Sequence, residues 1–163
     1  MTEQEGLPPE ALPGMRLAFT VRLDFGPRYR FGPVPQGYMT GFVGVVGGTV
    51  TGPRFSGKVI PNSGGDWPVI WADGTIEFDA RYLIQAGDGT IVYVENRGLA
   101  RASAEVQARV NAGLPVSMAE NYFRTTPRFT VASGPHDWLS RSLFVGLGDK
   151  HAQHSYFHFY TLD

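Results

Sequence analysis

Residues Gly74 to Gly98 read GTIEFDARYLIQAGDGTIVYVENRG, two β-rich runs around a turn. Thr75 to Gln85 and Thr90 to Asn96 are rich in β-branched and aromatic residues, and Asp88-Gly89 is a pair that favours tight hairpins. With Asp88 and Gly89 as the central turn residues, Arg81 faces Asn96, Tyr82 faces Glu95 and Ile84 faces Tyr93. Asp79, Arg81 and Asn96 then share a face with Leu83, Val92 and Val94. Ala80, Tyr82, Ile84, Tyr93 and Glu95 share the other. Each face mixes polar and apolar side chains, so periodicity leaves open which one looks inward.

Outward from this hairpin the chain keeps the same character. Met15 to Asp24 alternates, with Met15, Leu17, Phe19, Val21 and Leu23 on one face, and Gly26-Pro27 is expected to end the strand. Tyr38 to Thr51 is a long β segment carrying Gly41, Gly44, Gly47 and Gly48, a pattern of sharp bending at barrel corners. Arg54 to Ile60 and Trp67 to Trp71 read as strands, with Pro61 to Asp66 a loop between them. A helix is expected over Ala100 to Ala112, where Val106 and Val110 lie one turn apart and Gly113 and Pro115 stop it. Asn121 to Ala132, Leu143 to Leu147 and His154 to Leu162 return to strand. About eight or nine strands with frequent turn signals indicate an antiparallel β-barrel with one short helix.

Composition narrows the classes. The 163 residues suit one domain, expected over residues 14–163 behind a flexible arm at 1–13. The 21 glycines and 12 prolines fit many turns and bulges. A formal net charge of −1 argues against a nucleic-acid partner and against attraction to anionic membranes. No run approaches the roughly 20 apolar residues of a membrane-spanning helix. The absence of cysteine excludes disulfides and thiolate chemistry and fits a cytoplasmic location.

Three segments carry a family resemblance: GGTVTGPRFSGKVIPNSGGDW from Gly47 to Trp67, DARYLIQAGDGTIVYVENRG from Asp79 to Gly98, and YFRTTPRFTVASGPHDWLSRSLFVGLG from Tyr122 to Gly148. In order and spacing the chain resembles, from about Gly14 onward, the domain-of-unknown-function 3237 family, also called uncharacterised protein family 0311. The resemblance implies a compact calycin-like barrel of the kind that often holds small apolar ligands. Some members are associated with ring closure in natural-product pathways. No catalytic residue of theirs matches a position here, so no reaction is carried over.

Asp66-Trp67, after the glycine-rich stretch Asn62 to Gly65, places a carboxylate and an indole where a barrel mouth would orient a ligand. The plainer alternative is a turn cap and a core indole. Asp79, Arg81 and Asn96, if turned inward, need one another, because an unpaired buried charge is costly. Arg124 on another strand would complete a clamp for a carboxylate or enolate oxygen. On a solvated face the same residues are ordinary cross-strand pairs. Tyr82 with Glu95 is the competing pair, Glu95 becoming a base if burial raises its pKa. His136, His151, His154 and His158 lack the spacing and acidic neighbours of a metal site, and no nucleotide, flavin or other cofactor motif is present.

Two function classes follow, with a third behind them. The preferred one is a binding protein for a small apolar or acidic ligand, lined by Trp67, Trp71, Tyr82, Asn96 and Trp138 and fixed by Arg81 or Arg124. It leads because no acid–base pair is set by spacing. The second is a cofactor-free isomerase, lyase or cyclase with Asp66, Asp79 or Glu95 as base and Arg81, Arg124 or Tyr82 as oxyanion stabiliser. The third is a homodimer formed through exposed strands, without a ligand.

Overall fold

A computed structural model describes residues 12–163, so the expected arm at 1–13 lies almost wholly outside the described residues. In chain order the strands are β1 (Met15–Phe31), β2 (Met39–Thr51), β3 (Gly57–Val59), β4 (Gly64–Asp66), β5 (Val69–Ile70), β6 (Ile76–Ala86), β7 (Ile91–Arg101), β8 (Tyr122–Val131), β9 (Phe144–Lys150) and β10 (His154–Leu162). Helix α1 (Ala104–Asn111) and a 3-10 turn at Met118–Glu120 separate β7 from β8, and a short α2 (Trp138–Arg141) precedes β9. No described helix is long and apolar enough to cross a membrane.

The strands make one antiparallel sheet that closes on itself. Around the barrel run β1, β10, β9, β8, β7 and β6, and β2 returns to β1. Between β6 and β2, the three short strands β3, β4 and β5 share one position, each paired to both neighbours. Ten strands therefore fill eight places. Gly64–Asp66, expected as loop, is part of the wall.

The hairpin forms where expected, but in a register one residue different. Ala86 N–H donates to Thr90 O and Gly89 N–H to Ala86 O, both at 2.9 Å, so the loop has three residues, Gly87-Asp88-Gly89. Gly89 takes a φ of 91°, the left-handed position such loops require. Arg81 consequently faces Glu95, Tyr82 faces Val94 and Ala80 faces Asn96. A one-residue slip re-sorts the faces. Ala80, Tyr82, Ile84, Val92, Val94 and Asn96 point inward and are buried, while Asp79, Arg81, Glu95 and Arg97 stand on the outside.

Two other boundaries moved for local reasons. A bulge between Leu17 and Phe19 turns both Ala18 and Phe19 inward and leaves Met15 and Leu17 exposed. Gly26-Pro27 produces further register shifts rather than a strand end, and β1 continues to Phe31. The expected helix keeps its core, with Val106 and Val110 buried, yet starts at Ala104. Ser103 caps it, its hydroxyl accepting from Val106 N at 3.1 Å, while Ala100 and Arg101 stay paired in β7.

The core is graded along the barrel axis. Toward the Asp88 turn it is solid aromatic packing: Phe19 lies 5.5 Å from Phe159 and Phe129 lies 4.8 Å from Phe144, centroid to centroid. Each such buried ring contributes roughly 1.5–3 kcal/mol. Leu139 of α2 seals this end. Toward the other end Phe78, Phe123 and Phe157 line a cavity, and polar side chains join a lining that stays mainly apolar.

Candidate functional site

The open end holds a cavity of about 60 Å³, enough for a few waters or one compact ligand group. Its apolar lining includes Leu23, Phe25, Val43, Phe78, Phe123 and Phe157. Its polar groups are Asp66, Asn96, Ser155, Lys150, Arg28 and Arg30. They converge because cross-strand partners share a face. Asp66 on β4 lies opposite Ala80 on β6, which lies opposite Asn96 on β7. On the far wall Ser155 of β10 lies opposite both Leu23 of β1 and Lys150 of β9.

Asp66 is 7% exposed. Its Oδ1 accepts a hydrogen bond from the Asp79 backbone N–H at 2.9 Å, which favours the ionised form. Burial outweighs this, and the Asp79 charge adds to it, so the Asp66 pKa is pushed up to about 7. Lys150 moves the other way. Burial, then the charges of Arg28 and Arg30, bring it down to about 8, with Asp66 pulling weakly upward. Its Nζ donates to Gln107 Oε1 of α1 at 3.4 Å. Among the described residues no salt bridge joins Asp66 to Lys150, yet each responds to the other's charge across the cavity that both line. Arg28 and Arg30 stand at the exposed rim. The Arg28 guanidinium folds over the edge to donate to Ala152 O at 3.0 Å, and loss of hydration lowers its pKa.

The expected clamp does not assemble. Arg81 is exposed and pairs with Asp79 at 3.5 Å on the outer surface, where Arg97 also reaches Asp79 at 3.4 Å. Glu95 lies on that same outer face, opposite Arg81 and Arg128. Arg124 points outward too, donating to Phe123 O and lying over the Tyr122 ring. Trp67 is 48% exposed, against Phe42, and Trp71 is exposed beside Tyr38. Trp138 sits at the sealed end under Arg54. Tyr82 points inward but lies in the solid core, its buried hydroxyl unpartnered and its pKa raised by burial. Of the residues singled out from sequence, Asp66 and Asn96 line the cavity. The histidines scatter: His136 contacts Asp88, His158 contacts Thr20, and His151 stacks on His154.

Sequence reasoning missed the cations. Lys150 had a readable signal, because Phe144, Gly146 and Gly148 point inward at period two and Lys150 continues the series. Ending the strand at Leu147 hid it. Ser155 likewise extends the inward series Phe157, Phe159 and Thr161. Arg28 and Arg30 follow Gly26-Pro27, a strand-end signal that β1 runs through.

Comparisons with known proteins show the family and agree with the barrel fold. The profile of the family described as "Protein of unknown function (DUF3237)" matches residues 13–162. A UPF0311 protein of Rhodopseudomonas palustris is 34% identical over 137 residues, 84% of this chain and 88% of that one. A solved structure of a conserved protein of unknown function from the same species superposes with a TM-score of 0.86 at 30% identity, covering 93% of this chain and 98% of the other. A β-barrel-like protein of Acinetobacter baumannii gives 0.81 at 25% identity, with 98% and 100% covered. A hydroalkoxylation enzyme, phnH, of Penicillium herquei is 35% identical over 82 residues, 50% of this chain and 53% of that protein.

Proposed function

The chain belongs to the DUF3237 family, and from that premise we propose that it is an acid–base enzyme of the isomerase, lyase or cyclase type. Asp66 moves the proton, and Lys150 with Arg28 and Arg30 stabilises the oxyanion. The observation that carries this reading is a buried carboxyl, the only one among the described residues lining an apolar cavity whose other wall and rim are cationic; its burial, which raises the pKa to about 7, supports it. A carboxyl poised near the working pH is suited to both halves of a proton transfer. Fixed cations in a partly dry site favour developing negative charge and oppose a carbocation. The reaction therefore runs through an enolate or phenolate.

A hydroalkoxylation, the activity for which the Penicillium relative is named, needs the same parts. The O–H and one C=C π bond break, and a C–O and a C–H bond form. In this cavity Asp66 would take the hydroxyl proton, and the oxygen would add to an alkene conjugated with a carbonyl. The enolate oxygen would gather charge beside Lys150, and the proton would return to carbon. Atoms balance without any oxidant.

The test is ring closure of an ortho-hydroxyphenyl enone to a chromanone. The wild type accelerates closure, and Asp66→Asn lowers kcat/KM by about 10²–10⁴. Closure equally fast with and without the Asp66 carboxyl contradicts the reading. The mainly apolar lining also supports plain binding of a small ligand. In that case phenols bind but Asp66→Asn changes no rate.

A further inference from the structure

The Asp66–Ala80–Asn96 row contains an unused group. Asn96 is 1% exposed, lines the cavity, and its Oδ1 has no hydrogen-bond partner. Buried acceptors are rarely left orphaned, since desolvation is then uncompensated. Asp66, by contrast, is held by the Asp79 amide. Neighbouring strands are about 4.8 Å apart, so Asp66 and Asn96 flank a gap floored only by the Ala80 methyl. Beside it, Phe78 and Phe123 stack on one another with centroids 4.7 Å apart and planes 13° from parallel, and the pair presents an apolar wall to the cavity.

We infer that Asn96 determines the substrate class: its side-chain carbonyl accepts a hydrogen bond from a hydroxyl of a planar, phenol-like substrate whose hydroxylated edge enters the cavity over Ala80 while the rest of the ring lies in the open mouth. This deepens the acid–base reading and rests on it: a hydroxyl has one proton to give, so the hydroxyl held by Asn96 is a second one on the ring, beside the hydroxyl whose proton Asp66 takes. It also gives the orphan acceptor a partner only when substrate is bound, which selects against an equally shaped ring lacking the donor.

Phenol and toluene have nearly the same shape and differ in the donor. Phenol loses more on leaving water, so a slot without a waiting acceptor prefers toluene. Calorimetric or NMR titration of the wild type should show phenol binding more tightly. Asn96→Leu, similar in volume, should shift the phenol-to-toluene ratio by about tenfold or more and reverse the preference. Asn96→Ala serves as second variant if the first fails to fold, with melting temperature as the check on both. A wild type that prefers toluene or binds neither overturns the inference, as does a phenol preference that survives in the Asn96 variants. Asp66→Asn separates the two proposals. It should stop ring closure while leaving the phenol preference intact; a preference lost there but kept in the Asn96 variants removes Asn96 and retains Asp66.

Discussion

At Asp66 function and stability pull in opposite directions. Its folded pKa of about 7 lies above the ordinary 3.8, so the native state binds a proton that the unfolded state has released at intermediate pH. Stability from this residue therefore falls as pH rises from 3.8 to about 7 and stays low above. Asp66→Asn keeps an acceptor for the Asp79 amide and removes the buried charge. It should raise stability above pH 7 by about 4 kcal/mol and change nothing at strongly acid pH. Urea denaturation across pH measures this; equal stabilisation at every pH would speak against a charge effect. In catalysis, an ionised Asp66 and a charged Lys150 coexist in a narrow window. The profile of kcat/KM should rise through about 7 and fall through about 8, the two limbs belonging to the coupled pair.

Among the elements, β9 shows how the cavity is kept open at one end and filled at the other. A Cβ at Gly148 would sit 2.4 Å from the Phe123 ring, so the absent side chain is what lets that ring lie across the barrel. Gly148→Ala should cost about 1–3 kcal/mol by overpacking. Gly89→Ala meets nothing within 4 Å and costs about 1 kcal/mol, through its positive φ alone. Denaturant midpoints of the two variants check the order. The same two glycines mark what could be read beforehand. The hairpin was legible from β-formers around Asp88-Gly89, but Gly87-Asp88-Gly89 can close with two or three loop residues, and that one residue decided which side chains of β6 and β7 share the inward face. β4 was not legible, because Gly64-Gly65-Asp66 has no β-forming side chains and is held in the wall by β2 and β6 on either side. Asp66 was visible as a candidate; the inward direction of Lys150 could be read along its strand, but its place across from Asp66 could not, since only barrel closure brings β9 and the end of β1 across from β4.

For the molecule as a whole, the axis is polar: a sealed aromatic end and a cationic mouth. Substrate access through the mouth makes the outer arginines spectators. Arg81→Ala and Arg124→Ala should leave affinity for a phenolate such as 4-nitrophenolate unchanged, whereas Arg30→Ala should weaken it severalfold, an effect that salt diminishes. Equal losses for all three would mean diffuse surface attraction rather than a built site. The most direct measurement is the titration of the Asp66 carboxyl carbon by ¹³C NMR, assigned by the signal missing in Asp66→Asn. A midpoint near 7 is predicted, and an ordinary midpoint near 3.8 would contradict the proton-transfer site.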